Sequence, residues 1–364
     1  MGQPVSNKAC VLVGPRTVEF RDVPIPSIGR HDVMVKVETS GICGTDVRHY
    51  LQNFGLGREA LTKPVVMGHE AAGVVVQVGE AVVNVAIGDR VAIEPFFFCK
   101  RCHNCKTGRT NLCKTPRQAG FGDVQGILSQ YYVCESDFVV KFPDSVSWEE
   151  AGCIQPLAVA VQLAKRAKFA AGQTVAIFGC GPLGCLVMAV ARAYGVSKIL
   201  AIGRSQARVD FSKKTWADYA VVSPRLDEGQ DVIDWAEAFK TTTMEGAGVD
   251  SYGVDIAVEA TSAEAYVHAG MSFLHPGGTY VQAGIGRPIN SFSTFTIVAK
   301  ELDVIGTVRY TEGCFETAID LLASGKIVLK PMITAVFPLS KGVDALECAI
   351  RGEGLKVILM NQQI

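Results

Sequence analysis

The segment 174–195 limits the possible folds of this 364-residue chain more than any other part of it. Residues 174–178 form a continuous apolar run and residues 179–184 are rich in glycine. Residues 182–194 favour a helix that begins at a proline and is followed by Gly195. A continuous apolar run suits a strand buried on both faces of a parallel sheet, and proline inside the start with glycine past the end is typical of a helix. The segment therefore predicts a strand, a tight turn and a helix.

The same alternation continues towards residue 306. Residues 156–168 favour a helix before this strand, and four further segments favour strands: 198–202, 255–259, 279–283 and 303–306. Strands that alternate with helices predict an α/β domain with a doubly wound parallel sheet.

The first half of the chain is composed differently. Residues 33–38 alternate valine with other residues, residues 71–78 are small and β-branched, and residues 91–93 follow a Gly-Asp-Arg turn. Many short strands between turns predict a barrel-like β domain.

The end of the chain returns to this β character. Residues 314–324 favour a helix with Gly325 as its cap, and the tail from Lys326 onwards is β-like. We expect this tail to rejoin the first domain.

Composition excludes several classes of protein. Hydrophobic residues make up 48% of the chain, and 35 Lys and Arg balance 36 Asp and Glu, for a net charge of −1. This balance gives no general attraction to nucleic acid or anionic membranes. No apolar stretch reaches the roughly 18 residues of a membrane span, and residues 1–10 lack the apolar core of a secretory signal. We expect a cytoplasmic protein that binds a small molecule, neither nucleic acid nor membrane.

The glycine-rich turn predicts a dinucleotide site. Gly179, Gly181 and Gly184, with Pro182 and Leu183 between them, form a GxGxxG pattern that ends a predicted strand and opens a predicted helix. The first glycine permits the turn, the second lets the backbone approach a pyrophosphate, and the third packs helix on strand. The alternative is an ordinary glycine-rich turn.

The end of the next predicted strand favours NADP(H) over NAD(H). Gly203 stands where an NAD-binding domain usually carries an acidic residue for the ribose hydroxyls. Arg204, Ser205 and Arg208 add groups suited to a 2′-phosphate. Two such contacts, at roughly 1.5–3 kcal/mol each, favour NADP(H) by about a hundredfold or more. The alternative is a solvated Arg204 and a permissive site.

Four cysteines within fifteen residues predict a metal site. Cys99, Cys102, Cys105 and Cys113 have the short spacing of a closed tetrahedral zinc site without an open position. Such a site is structural. His103 lies inside the cluster, but four thiolates already complete the coordination sphere.

A second group of candidate ligands is dispersed. Cys43, Thr45 and Asp46 lie in the segment 41–46, and His69 and Glu70 lie in a Gly-His-Glu triplet. Spacing alone does not join these residues, since a single Cys or His is more often a core residue than a ligand.

The chain resembles the zinc-dependent medium-chain alcohol dehydrogenases, and among them the polyol (sorbitol and xylitol) dehydrogenases. The matching motifs run across nearly the whole chain: GICGTD at 41–46, GHE at 68–70, AIGDRVAIEP at 86–95, the four-cysteine segment, GCGPLG at 179–184 and VRY at 308–310. The resemblance implies a chaperonin-10-like (GroES-like) β domain, formed by residues 1–157 and 308–364, and a Rossmann domain of residues 158–307.

The resemblance also implies roles for individual residues. Cys43, His69 and Glu70 would ligate a catalytic zinc, which acts as a Lewis acid on a carbonyl or alcohol oxygen. Thr45 would relay a proton and Asp46 would orient His69.

Other roles concern the proton path, the pocket and the assembly. We expect His49 to extend the proton path. Arg309 and Tyr310 match positions that line the polyol pocket. The resemblance also implies a homotetramer, with a dimer as the alternative.

Three departures from the family pattern leave the substrate open. The family's Glu-Pro-Leu at the zinc is Gln155-Pro-Leu here, and Cys153 is either a substitute ligand or a buried thiol. The family's His-Tyr segment is replaced by Arg-His-Tyr, which ends at Tyr50, and the loop 114–124 carries Phe121. We expect Tyr50 and Phe121 either to make the pocket more apolar or to pack in the core.

Three hypotheses follow. The first is an NADP(H)-linked polyol dehydrogenase that works as a ketose or ketone reductase, with one catalytic and one structural zinc per chain. The second is a specialised biosynthetic reductase of a more apolar carbonyl compound. The third is a nicotinamide-binding protein with a degraded catalytic zinc site.

Overall fold

The computed structural model describes residues 6–52, 63–286 and 289–363. The chain divides into two compact units, of which the first comprises Met1–Ala158 with Thr311–Ile364 and the second comprises Val159–Tyr310. These limits differ from those expected from the sequence by one residue at the first boundary and three at the second. Each unit has its own sheets and core.

The strands and helices are numbered in chain order. The strands are β1 Lys8–Gly14, β2 Thr17–Asp22, β3 Asp32–Gly41, β4 Val65–Val66, β5 Ala71–Val78, β6 Arg90–Ile93, β7 Phe96–Phe97, β8 Arg117–Gln118, β9 Tyr131–Glu135, β10 Val139–Lys141, β11 Thr174–Phe178, β12 Lys198–Gly203, β13 Tyr219–Val222, β14 Val254–Glu259, β15 Leu274–Gln282, β16 Asp303–Gly306, β17 Ile333–Pro338 and β18 Lys356–Met360. The helices are α1 Gly44–Gln52, α2 His103–Lys106, α3 Trp148–Ala151, α4 Ile154–Ala167, α5 Pro182–Ala193, α6 Gln206–Thr215, α7 Val232–Ala247, α8 Glu264–Phe273, α9 Thr294–Ala299, α10 Cys314–Ala323 and α11 Gly342–Arg351.

The first unit is built around a seven-stranded sheet. Its strand order is β10-β6-β5-β3-β18-β17, and β9 also pairs with β3. The predicted alternation in β3 buries Val33, Val35 and Val37, which pack against residues of β5 and β6. Met34 is buried as well. Side chains on both faces of β3 are therefore largely buried.

The tail completes this sheet. β18 pairs antiparallel with β3, and Leu359 lies opposite Ser40. The expectation of a β-like tail was incomplete, because α11 lies between β17 and β18 and ends at Gly352 in the left-handed conformation. The buried Ala345 and Leu346 pack α11 onto the core of the first unit.

The second unit contains a parallel six-stranded sheet of order β13-β12-β11-β14-β15-β16. The apolar run 174–178 forms the central strand β11, with Val175, Ala176 and Ile177 fully buried. The chain order reverses on either side of β11, and ligands of doubly wound sheets bind beyond the carboxyl ends of the strands at this place. The predicted α/β fold is confirmed.

Helices α6, α7, α8 and α9 and strand β13 were missed by the sequence analysis. Helix α7 carries recognisable end signals, because Asp231 accepts hydrogen bonds from two backbone N–H groups of the first turn and Gly248 ends the helix with φ of 58°. Its Trp235 and Phe239 pack in the core of the second unit.

Within the described part of the chain, no helix combines the length and the apolar character needed to span a membrane.

Candidate metal and cofactor sites

Three side chains of types that can bind a metal come from distant parts of the sequence and meet in the first unit. The Cys43 thiol, the His69 imidazole and the Glu70 carboxylate each place a ligand atom within 4.8 Å of the others. Cys43 directly precedes α1, while His69 and Glu70 lie between β4 and β5. Thiolate, imidazole and carboxylate are ligands of catalytic zinc, which keeps a fourth position open. The donor set therefore fits one zinc ion.

The buried Asp46 carboxylate orients two of these donors. Its Oδ1 lies 3.3 Å from His69 Nδ1, and its Oδ2 accepts a hydrogen bond from the Cys43 backbone N–H at 2.9 Å. Burial opposes both charges, but attraction within the pair raises the pKa of His69 well above its usual value and lowers that of Asp46. Contact through Nδ1 leaves His69 Nε2 free to ligate a metal.

A buried lysine that the sequence analysis missed pairs with the third donor. Lys356 Nζ donates a hydrogen bond to Glu70 Oε2 and another to the Ile42 carbonyl oxygen at 3.2 Å. Both ionic side chains are 2% exposed. Burial alone would lower the pKa of Lys356, yet the charge of Glu70 raises it. The pair leaves Glu70 Oε1 as the candidate ligand atom and compensates a charge that is costly to bury.

Gly41 makes room for this ion pair. A Cβ at this position would lie 2.2 Å from Glu70 Oε2, 2.7 Å from Lys356 Nζ and 2.6 Å from the Gly152 carbonyl oxygen. All three distances are shorter than a carbon atom tolerates. Gly152, which joins α3 to α4, therefore lies close to the Glu70 carboxylate. The half-buried Gln155 lies in the first turn of α4.

Aromatic packing encloses one side of the donor set. The Phe121 ring packs edge-on against the imidazoles of His49 and His69, with centroid distances of 4.5 Å and 5.6 Å. His49 is buried, and its Nε2 has no hydrogen-bond partner among the described residues. Burial lowers the pKa of His49, and the opposing charge of Asp46 does not reverse this. His49 is therefore a neutral imidazole within an apolar contact.

The four-cysteine cluster forms a second donor set. The thiols of Cys99, Cys102, Cys105 and Cys113 all lie within 4.8 Å of one another. Hydrogen bonds from the backbone N–H groups of residues 101 and 102 lower the pKa of Cys99 to about 6. Backbone hydrogen bonds also lower the pKa of Cys102. A loop that stabilises thiolates fits a zinc ion, since the thiolate is the ligand form. His103 is exposed and lies outside this donor set.

The glycine-rich turn at the carboxyl end of β11 has the geometry expected for a pyrophosphate. Gly179 has a φ of 117°, and a Cβ on Gly184 would lie 1.8 Å from the Gly179 carbonyl oxygen. By contrast, an ideal Cβ on Gly181 meets no atom within 4 Å, so the space before α5 is open. Gly181 caps α5 without a side-chain hydrogen bond, and Pro182 is the first helical residue. The helix N-terminus therefore offers free N–H groups to an anion.

The carboxyl end of β12 borders two cavities. Arg204 lines both cavities. One has a volume of about 380 Å³ and is also lined by Ser223, Arg225 and Tyr266, and the other has a volume of about 800 Å³. Among the described residues, no carboxylate forms an ion pair with Arg204, Arg208 or Arg225. Ser205 caps α6 without a side-chain hydrogen bond. Unpaired guanidinium groups beside a cavity suit an anionic ligand.

Comparison with known proteins assigns the family. Residues 29–144 match the family described as "Alcohol dehydrogenase GroES-like domain", and residues 182–324 match "Zinc-binding dehydrogenase". The D-xylulose reductase A of Aspergillus oryzae is 39% identical over 363 residues, with 99% of each chain covered. The chain belongs to the zinc-dependent medium-chain dehydrogenases, in their polyol dehydrogenase group.

Solved structures of similar proteins show the same fold as this dehydrogenase. L-Idonate 5-dehydrogenase of Escherichia coli has a TM-score of 0.86 and 27% identity, with 98% of each chain covered. A putative zinc-binding dehydrogenase of Sinorhizobium meliloti, bound to NADP, has a TM-score of 0.86 and 28% identity, with 98% of this chain and 100% of the other covered. The predicted family and its GroES-like and Rossmann domains are confirmed.

Other candidate residues of the dehydrogenase lie in different surroundings. Thr45 is half-buried in the first turn of α1, one residue before Asp46. Tyr50 belongs to an apolar core cluster and donates its hydroxyl to Glu347 at 3.0 Å, which supports packing as its role. Arg309 and Tyr310 belong to the second unit, and Tyr310 is 4% exposed.

Cys153 behaves as a core thiol of the dehydrogenase. It is fully buried, burial raises its pKa to about 12, and its Sγ contacts the Glu149 carbonyl oxygen at 3.8 Å. A protonated thiol is a poor metal ligand, so the structure favours the packing alternative. The ligand role of Gln155 stays a prediction.

Two residues that sequence reasoning missed had weak signals. Lys356 begins β18, whose other residues are all apolar, and a charge at the start of such a run is unusual. Arg225 follows β13 closely, and β13 itself had not been predicted.

Proposed function

We propose that this dehydrogenase transfers a hydride between NADP(H) and the secondary alcohol and ketone forms of a polyol and ketose pair. The convergence of Cys43, His69 and Glu70 within 4.8 Å carries the proposal. D-xylulose reductases that are 39% identical over 98% of the chain support a ketose as substrate. An NADPH preference favours reduction in a cell, so we propose ketose or ketone reduction as the working direction.

The chemistry divides between the metal and the residues around it. Bound zinc with an open position polarises a carbonyl or alcohol oxygen. Asp46 holds the His69 imidazole by Nδ1, and Lys356 holds Glu70 by Oε2, so that both ligands are oriented before a metal binds. We assign the proton relay to Thr45 and its extension to the buried, neutral His49.

Arginines that pair with no carboxylate among the residues described support the proposed preference for NADP(H). A carboxylate at position 203 would repel a 2′-phosphate, and Gly203 provides none. Arg204 lies at the carboxyl end of β12 beside a cavity, and Arg208 lies in the following helix. One similar solved structure holds NADP and another holds NADH, so the proposal depends on these residues and not on the family.

A second candidate function is the reduction of a more apolar carbonyl compound. The contact of Phe121 with His49 and His69 favours it, because an aromatic ring replaces polar surface beside the donor set. Gln155 also removes a carboxylate that the family pattern carries. A substrate panel with NADPH separates the candidates. Turnover of ketoses but not of lipophilic or aromatic ketones would exclude the second one.

We propose a homo-oligomer, with a tetramer or a dimer as the possible assemblies. β16 is an edge strand of its sheet, and its Val304 is exposed. Phe295 and Val298 on α9, the element that precedes β16 in the chain, are 81% and 79% exposed. Exposed apolar side chains and an open strand edge are both features of subunit interfaces. Light scattering on the purified protein measures the mass directly.

The cysteines support a cytoplasmic location. None of the twelve cysteines forms a disulfide in the described structure. Free thiols in this number suit a reducing compartment.

Zinc content tests the catalytic assignment first. Elemental mass spectrometry of protein purified without added metal should give about two zinc ions per chain. A value near one would leave only the four-cysteine cluster filled. It would favour the hypothesis of a nicotinamide-binding protein with a degraded catalytic zinc site. Gln155→Glu would then be the first variant to test for recovered zinc binding.

A further inference from the structure

The absence of a side chain at Gly203 has a specific physical cause. An ideal Cβ at this position would lie 2.9 Å from Cys180 Sγ, 3.3 Å from Cys180 Cβ and 3.0 Å from Val209 Cγ2. Contacts below about 3.4 Å are tighter than packed carbon and sulfur atoms normally adopt. The space into which a side chain would project is therefore already filled, mainly by Cys180.

The topology fixes this contact. Cys180 follows β11, Gly203 ends β12, and these neighbouring strands run parallel, with Phe178 opposite Ile202. The Gly179 N–H donates to the Ile202 carbonyl oxygen at 2.7 Å, which holds the two carboxyl ends together. Cys180 is 4% exposed and Val209 is 2% exposed, so neither side chain can move outwards into solvent.

Of the two neighbours, Cys180 is the stronger obstacle. Its Sγ is the nearest of the three crowding atoms, at 2.9 Å, and it is the atom that an alanine at position 180 would lack. Val209 contributes a single terminal methyl carbon, at 3.0 Å.

We propose that Cys180 determines the cofactor preference by occupying the volume that a side chain at position 203 requires. The cysteine is a positioning residue, since it acts through position 203 and not through the cofactor. With position 203 restricted to glycine, no carboxylate can stand beside Arg204, and the guanidinium remains available to a phosphate. This inference rests on the proposed use of NADP(H).

The proposal predicts that substitutions at positions 180 and 203 have non-additive effects on cofactor binding. Gly203→Asp alone should not create an NADH enzyme, because the new side chain displaces the turn that also carries the pyrophosphate site. When Cys180→Ala is added, the sulfur atom is removed and the aspartate can point towards the ribose, where it accepts hydrogen bonds from hydroxyl groups and repels a 2′-phosphate.

The experiment is a double-mutant cycle on the full-length protein. It compares the wild type, Cys180→Ala, Gly203→Asp and the combined variant, with Kd for NADPH and NADH measured by nicotinamide fluorescence and Tm by calorimetry. Cys185→Ala, alone and with Gly203→Asp, is the matched control. Cys185 is a buried thiol whose Sγ contacts the Cys180 carbonyl oxygen at 3.8 Å, but it is not among the atoms that crowd position 203.

We expect Gly203→Asp to weaken NADPH binding about a hundredfold and to leave NADH binding no tighter than in the wild type. Its Tm should fall by roughly 2–8 °C, as for an overpacked core position. Adding Cys180→Ala should recover most of this Tm loss and tighten NADH binding at least about tenfold relative to Gly203→Asp. Adding Cys185→Ala should do neither.

The outcomes separate the two claims. The inference is overturned if Gly203→Asp alone keeps its Tm and binds NADH as tightly as the combined variant does, or if Cys185→Ala rescues equally well. A wild type that prefers NADH would overturn the proposed cofactor instead. Gly203→Ala, with and without Cys180→Ala, introduces no charge, and its Tm alone measures the steric coupling between the two positions. This pair tests the inference even if the Gly203→Asp variants fold poorly.

Discussion

The two candidate metal sites of the first unit are built in opposite ways. The four cysteines come from fifteen consecutive residues, and hydrogen bonds from neighbouring backbone N–H groups stabilise the thiolates of Cys99 and Cys102. Cys43, His69 and Glu70 come from separate segments and depend on two buried partners, Asp46 and Lys356. A local site is specified by spacing, whereas a dispersed site is specified by the fold and by the charges that the fold buries with it.

The largest expected effect concerns the local site. Cys102→Ser should remove one zinc ion per chain, because three thiolates do not complete the tetrahedron. Structural zinc contributes on the order of 10 kcal/mol to the order of its loop. We expect rapid proteolytic cleavage within residues 99–113, measured by mass spectrometry of the fragments. His103→Ala is the control, and equal cleavage of that variant would contradict the assignment.

The next effect concerns Lys356. Lys356→Met removes the cation and leaves Glu70 as an uncompensated buried charge, which should cost about 3–5 kcal/mol of unfolding free energy. Urea unfolding measures this loss. Lys356→Arg keeps the charge and should recover part of it. A variant Lys356→Met as stable as the wild type would show that Glu70 does not need its partner.

Glu94 gives the converse case of a half-buried carboxylate that pairs with no cation in the described part of the chain. Burial, aided by Glu316 and Glu312, raises its pKa from 4.5 to about 8. The folded protein therefore binds a proton that the unfolded chain has lost, and stability should fall by roughly 3–5 kcal/mol as the pH rises from about 4.5 to 8. Glu94→Gln should flatten this slope in unfolding experiments across that range. An unchanged slope would place the titrating group elsewhere.

The smallest effect concerns the orientation of His69. Asp46→Asn keeps the shape but removes the charge beside Nδ1, and the loss of such a partner typically weakens metal binding 10–100-fold. Competition with a zinc chelator measures the affinity of the dispersed site. The four-cysteine site should be unaffected within the same protein, so it serves as an internal control. A uniform change at both sites would indicate misfolding.

The success of sequence reasoning follows the same division. The glycine turn, the apolar strand β11 and the four cysteines are local patterns. The predicted strand and turn are present, and the four thiols lie within 4.8 Å of one another. The dispersed donors were joined only by the resemblance to a family, because no spacing relates Cys43 to His69. Lys356 and the contact between Cys180 and Gly203 were not predictable, because they depend on which strands become neighbours.

The missed helices have a related cause. α11 lies between β17 and β18, whose sequences are strongly apolar, and these apolar sequences favour strands over the whole tail. Tyr50 could not be assigned from its type alone, since an aromatic residue near a donor set lines a pocket or packs in the core with similar ease. Its hydrogen bond to Glu347 on α11 favours packing.

The pairing of β18 with β3 has a consequence for the time course of biosynthesis. Glu70 and Lys356 are separated by 286 positions along the chain. At roughly 5–20 residues per second, a ribosome needs on the order of 15–60 seconds to pass from one to the other. During that interval the nascent β domain carries an acidic centre without its counter-charge, and the parallel sheet of the second unit is translated completely. β18 therefore brings the counter-charge of Glu70 and completes the seven-stranded sheet of the first unit only after the second unit has been translated.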